Sequence, residues 1–256
     1  AIPCLKSAIY YSKKNSRLNQ LSRFWLAESY YRNDQYREAR DVFSELYNVS
    51  ALRGMPEAEL IPYNLAYCYY KEGNYIAARK WFSAYLEVPH AKYRKDALVR
   101  KADCHFIERD YKGACTAYDQ VLDRYFDPND IYPYYQSAIS YGLLRNQDKK
   151  IALLSNVMQA SPESEFYAEA LYELGRSYEF RGEDENAFNC FSMMTERVKD
   201  NTYLAKAYIE MGSISRNQSQ LDEALGYYKT VVEQMPLSGY AEDALAAIES
   251  IYQTRN

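Results

Sequence analysis

Residues 74–82 read NYIAARKWF, and within them Tyr75, Ala78 and Phe82 stand three and four residues apart. That spacing places all three side chains on one face of a helix. The same pattern recurs upstream in QYREARDVF as Tyr36, Ala39 and Phe43, and downstream in DYKGACTAY as Tyr111, Ala114 and Tyr118. DENAFNCF gives Asp184, Ala187 and Phe191, and LDEALGYY gives Leu221, Ala224 and Tyr228. The interval between Ala114 and Ala187 holds a degenerate copy, DKKIALLS, with Ile151 and Ser155 at the key positions. Positions 39, 78, 114, 151, 187 and 224 therefore recur with gaps of 39, 36, 37, 36 and 37 residues. A period held that closely over successive copies is the signature of a repeat architecture.

A second set lies twelve or thirteen residues before each key position: Ala27, Ala66, Ala102, Ala138, Gly175 and Gly212. Three residues further on come Tyr30, Tyr69, His105, Tyr141, Tyr178 and Ser215. Small residues at helical spacing from larger ones predict a helix with a face that another helix can approach closely. The segments RNDQ, KEGN, ERD, LRNQ, RGED and RNQSQ divide this helix from the next. Each copy is thus read as helix, tight turn, helix. Pro89, Pro128, Pro162 and Pro236 fall in the links between copies, where a helix cannot continue. Pro56, Pro62 and Pro133 are expected near the starts of first helices, where a missing N–H costs little.

This pattern resembles the tetratricopeptide repeat (TPR) family over roughly residues 16 to 256, with copies longer than the family's usual unit of about 34 residues. The longer copies, and stretches such as SPESEFYAEALYELGRSYE, resemble TPR arrays of bacterial envelope proteins, including outer-membrane assembly lipoproteins. The resemblance implies an all-α, right-handed α-solenoid of about six helix-turn-helix repeats with partial repeats at both ends. The repeats are expected at 16–50, 57–89, 92–127, 130–161, 164–199 and 201–236. Residues 1–15 are expected to form one helix of a preceding repeat. Residues 238–256 are expected to form a capping helix or the start of a seventh repeat. The repeat-packing residues are the two sets of small residues, from Ala27 to Gly212 and from Ala39 to Ala224, with the rings of Phe43, Phe82, Tyr118, Phe191 and Tyr228.

Composition narrows the function. Lys+Arg 31 against Asp+Glu 35 gives a net charge of -4, which disfavours a polybasic nucleic-acid binder. No uncharged apolar run approaches the roughly 18 residues that cross a bilayer, so direct membrane insertion is not expected. Two histidines, with no phosphate loop, nucleophile elbow or ligand cluster, predict neither an enzyme nor a metal or other cofactor. His105 replaces a tyrosine of the other copies and reads as a packed ring. Cys68 and Cys104 occupy equivalent places in successive copies, on the order of 10 Å apart for neighbouring helices, too far for a disulfide. They are expected to be free, buried thiols.

Tyr 29 is the unusual number, since a ring with a polar tip suits half-buried surface. In the TPR family the first helices of successive repeats line a concave surface along which ligands lie. Carried over by register, that groove would hold Phe24, Tyr31, Arg32, Tyr63, Tyr67, Tyr70, Lys71, Phe106, Tyr132, Tyr135, Tyr172 and Arg176. Aromatic and Arg side chains are those that dominate binding energy. The alternative is that these rings bury one another. The subtype that grips a C-terminal carboxylate uses Lys, Asn and Arg at lining positions, and Phe24 and Glu28 do not fit it. The expected function is a non-catalytic scaffold for a protein or peptide partner. Glycan handling or an outer-membrane-assembly role at a bacterial envelope is the alternative; the sequence does not fix the compartment, the resemblance favouring periplasm or envelope and the cytoplasm staying open. Self-association through open array ends is a further expectation.

Overall fold

The structure, a computed structural model, describes residues 1–255; Asn256, the last residue of the expected terminal helix, lies outside them. Among the described residues there are helices and no strand. The chain divides into two compact bodies, Ala1–Phe126 and Asp127–Asn256.

The N-terminal body begins with α1 (Ile2–Tyr11) and continues with three helix pairs. These are α2 (Arg17–Arg32) with α3 (Tyr36–Leu46), α4 (Pro56–Lys71) with α5 (Tyr75–Leu86), and α6 (Arg94–Ile107) with α7 (Tyr111–Arg124). Each helix packs on the next, α1 on α2 included. The C-terminal body pairs α8 (Ile131–Leu143) with α9 (Gln147–Leu154), α10 (Tyr167–Phe180) with α11 (Asp184–Arg197), and α12 (Asn201–Asn217) with α13 (Leu221–Gln234). The last helix, α14 (Ala241–Arg255), packs on α13 and buries Ala244 and Ile251.

Every pair turns in the same way. One residue per turn takes a left-handed conformation: Asp34, Gly73, Arg109, Arg145, Gly182 or Ser219, with φ between 59° and 77°. The amide after it reaches back to the first helix. Gln35 N donates to Tyr30 O, Asn74 N to Tyr69 O, Asp110 N to His105 O, Asn146 N to Tyr141 O, Glu183 N to Tyr178 O and Gln220 N to Ser215 O, at 2.8–3.0 Å. This is the Schellman closure, which satisfies carbonyls left open at a helix end. The acceptors are the second member of each repeat's first-helix pattern. Asn74, Asp110 and Asn146 then cap the next helix by accepting from Ala77 N, Gly113 N and Lys149 N.

Ala27, Ala66, Ala102, Ala138, Gly175 and Gly212 are all buried, as are Ala39, Ala78, Ala114, Ala187 and Ala224. Phe43, Phe82, Tyr118, Phe191 and Tyr228 are buried with them. The reason for the small residue is geometric. A Cβ added at Gly175 would stand 2.6 Å from the Phe191 ring, and one at Gly212 2.6 Å from the Tyr228 ring. In the fourth pair, which lacks the aromatic, α9 is only eight residues long and passes into a 3-10 helix, Ser155–Gln159. Ile151, Leu154, Val157 and Ala160 are buried there at a spacing of three, the period of the tighter helix.

Pro62 departs from expectation. It lies inside α4 beyond the first turn and is buried, while Pro56 does open that helix. Cys68, Cys104, Cys115 and Cys190 are buried free thiols and Cys4 an exposed one. Burial pushes the Cys68 and Cys104 thiols up to about 12, so both are protonated and unreactive at neutral pH.

Candidate functional site

The expected groove residues fall into two sets, one in each body. In the N-terminal body α2 and α4 supply most of them, because positions 63, 67 and 70 share one face of α4 and 24, 28 and 31 one face of α2. Tyr31, Tyr63, Tyr67 and Tyr70 are half-buried, while Arg32 and Lys71 are exposed. Phe24 is only 1% exposed and meets Phe43 edge-on at 5.5 Å, so it forms floor rather than wall. Phe106 is half-buried against Tyr111 at the end of α6.

The rings are tightly organised. Tyr63 and Tyr67 meet edge-on at 5.0 Å, Tyr31 and Tyr67 at 6.4 Å, and Tyr67 rests on Phe82 at 5.3 Å. Tyr63 stacks on Tyr93 with centroids 5.1 Å apart. Tyr63 Oη donates to Asp96 Oδ2 at 2.8 Å, and Tyr67 Oη donates to the same oxygen. Arg100 lies 3.5 Å from Asp96 and donates to Asp103 at 2.7 Å; Tyr118 Oη also donates to Asp103. Burial first, then Tyr67 and Asp96 for Tyr63 and Asp96 for Tyr67, push these two phenols far above their ordinary range; burial pushes Tyr70 up to about 12. These hydroxyls therefore remain donors at every physiological pH, and the ring positions are fixed from below. The rings pack on one another and also wall a space.

That space is a cleft of about 390 Å³ lined by Trp25, Glu28, Tyr31, Arg32, Leu60, Tyr63, Asn64, Tyr67 and Tyr93 over Phe24. Glu28 accepts from Asn64 Nδ2 at 2.6 Å and lies 3.7 Å from Arg32. Trp25, 48% exposed, and Tyr93, 38% exposed, form the rim. Trp25, Asn64 and Tyr93 escaped the sequence reading. Trp25 and Asn64 sit one residue beyond the register used, and Tyr93 lies in the link before α6, where no helical period points to it.

The second set is arranged differently. Tyr132 and Tyr135 hold Phe166 between them at 5.1 and 5.7 Å, with Phe166 in a left-handed conformation ahead of α10. Tyr172 Oη donates to Glu210 at 2.7 Å, and Arg176 pairs with Glu179 at 2.7 Å and Glu210 at 3.2 Å. Lys206 Nζ lies 5.2 Å from the Tyr172 centroid. The side chains of this set are thus engaged by their own neighbours, and Arg176 is tied into an ion-pair network.

His105 is held by Asp110, with Nδ1 and Oδ2 2.7 Å apart, at the turn where Gly113 leaves no room for a side chain. Among the described residues there is no group of His, Cys, Asp or Glu that could hold a metal ion, and no helix long and apolar enough to cross a membrane.

Comparison with known proteins points one way. A tetratricopeptide repeat family model matches residues 24–96, and a second tetratricopeptide repeat model matches residues 96–125. TPR repeat-containing protein YpiA of Bacillus subtilis (strain 168) is 24% identical over 216 residues, covering 78% of this chain and 50% of its own length. The chain thus spans about half the length of that curated relative. The crystal structure of the C-terminal part of a TPR repeat-containing protein from Cytophaga hutchinsonii is similar with a TM-score of 0.72 at 22% identity, over 91% of this chain and 89% of that one. YrrB, described as a TPR protein with an unusual peptide-binding site, is similar with a TM-score of 0.59 at 16% identity, over 81% of this chain and 99% of that one. At such identities the likeness is one of fold.

Proposed function

Because this chain is a tetratricopeptide repeat protein, we propose that it is a non-catalytic scaffold that holds a segment of a protein partner in the cleft between α2 and α4. The observation that supports this reading is the rim: Trp25 and Tyr93 stand half in solvent over a floor of rings already fixed by Asp96. Exposed aromatic area concentrated around a preformed hollow is the usual character of a contact surface. A preorganised floor lowers the entropy cost of capture. The likeness in fold to YrrB, a protein described as having a peptide-binding site, is consistent with this.

The test keeps the floor residues themselves, because Tyr63 and Tyr67 support the fold as well, and a melting curve checks that the variant folds. Replacement of Trp25 and Tyr93 by Ser should abolish capture of partners that the unmodified protein retains from its native lysate. Loss of one buried anchor is worth about 2 kcal/mol, roughly thirtyfold in Kd. Equal capture by both proteins, read by mass spectrometry, would refute the assignment. Outer-membrane assembly at a bacterial envelope rests on the resemblance of the longer repeats and glycan handling on aromatic faces that can stack on sugars; a glycan array without binders would remove the latter. Self-association belongs to the end helices, where Tyr10, Tyr11, Leu245 and Tyr252 are exposed; a sedimentation coefficient independent of concentration would remove it.

A further inference from the structure

The net charge of -4 conceals an uneven distribution. Residues 1–126 hold 20 Lys+Arg against 15 Asp+Glu, a net +5, and residues 127–256 hold 11 against 20, a net -9. The cleft belongs to the half of the sequence with the cationic excess, and net charge of one sign steers partners of the other.

The charges at the cleft itself sharpen this. Its acids are already engaged: Glu28 accepts from Asn64, and Asp96 accepts from Tyr63 and Tyr67 and lies beside Arg100. Its cations are not matched in the same way. Arg32 is 77% exposed and its ion pair with Glu28 is a loose one, at 3.7 Å. Lys92 holds its ammonium over the Tyr93 ring at 5.2 Å, a contact that leaves its hydrogen-bond donors for other partners. An incoming carboxylate meets a guanidinium fork at Arg32 in the lining of an aromatic hollow, with the Lys92 ammonium beside the Tyr93 ring. The carboxylates of the cleft each already hold a partner, Glu28 through Asn64 and Asp96 through Tyr63 and Tyr67.

Resting on the groove reading above, we infer that the partner segment is acidic: an apolar side chain enters the hollow among Trp25, Tyr31, Tyr63 and Tyr67, and a neighbouring Asp or Glu pairs with Arg32 at its rim.

The experiment is selection from a random twelve-residue peptide display library on three proteins: the unmodified chain, Arg32→Gln and Trp25→Ser. Arg32 is solvent-exposed, so its variant should fold, which a melting curve checks. The expected result is enrichment of peptides with Asp or Glu beside an apolar residue on the unmodified chain. A selected acidic peptide should bind Arg32→Gln about tenfold more weakly, and should weaken further as salt is raised. Peptides enriched without an acidic preference, yet lost with Trp25→Ser, would overturn the inference and leave the groove reading standing. No Trp25-dependent enrichment at all would sink both. A self-association abolished by Arg32→Gln, with no acidic peptides enriched, would also overturn it and assign the rim to the acidic half of a second copy.

Discussion

Gly175 and Gly226 show why the same residue type has opposite meanings in two helices. Gly175 is buried in α10 and a Cβ there would stand 2.6 Å from the buried Phe191 ring, whereas around Gly226 on the exposed side of α13 there is nothing within 4 Å. Alanine is favoured over glycine in a helix by about 1 kcal/mol. At position 226 that gain should appear undiminished, and Gly226→Ala should raise the stability read by denaturant unfolding. At position 175 the clash outweighs it, since overpacking costs roughly 1–3 kcal/mol, and Gly175→Ala should be destabilising. A stabilised Gly175→Ala protein would show that the ring yields, and that the small position is not required by packing. This is the residue-level rule that makes the repeat visible: one small side chain for each ring.

At the level of the element, the turn rather than the helix is the invariant. Six turns place one residue in the left-handed region, yet only two of them use glycine. Arg109 and Arg145 hold it at a cost of roughly 1–2 kcal/mol, so Arg109→Gly should stabilise α6 and α7 by about 1 kcal/mol, and an unchanged melting temperature would contradict the assignment. The cap of α7 adds a pH dependence. The Gly113 amide, and His105 after it, lower the Asp110 carboxyl below its ordinary value. A group depressed in this way stabilises the folded state fully above its unfolded pKa, about 3.9, and loses that contribution as the pH falls through the folded value. Asp110→Asn retains an acceptor for Gly113 and removes the charge. The unmodified chain should therefore be the more stable at pH 7, with the difference vanishing towards pH 2. A difference that stayed constant across that range would show that the charge is irrelevant. The shortened α9 belongs to the same scale: without an aromatic partner for Ala138, apolar residues at a spacing of three carry the segment into a 3-10 turn.

Over the whole molecule, stability is a sum over neighbouring helix pairs, since no pair buries its apolar face alone. Ala187 is buried in α11, in the C-terminal body. Ala187→Arg places a charge where no partner waits, so hydrogen exchange should quicken across α10 and α11, while the helices of Ala1–Phe126 keep their protection. Uniform loss of protection along the chain would mean one indivisible cooperative unit instead. The charge division of the chain belongs to this scale too: residues 1–126 carry a net +5 and residues 127–256 a net -9.

What was legible in advance was everything that repeats. A small residue, a ring and a polar turn recurring every 36 to 39 residues can be satisfied only by paired helices, so fold class and packing residues followed from local spacing. The groove register was also local, and it brought Tyr31, Tyr63 and Tyr67 to one cleft. Tertiary structure alone decided what those rings do. Tyr93 enters from a link without periodicity, Asp96 fixes two phenols from another helix, and Phe24 turns inward. Tyr172 and Arg176, equivalent by register, are instead taken up by Glu210 and Glu179. Periodicity reports which face of a helix a residue occupies, but whether that face meets solvent, a ring or a carboxylate depends on residues distant along the chain.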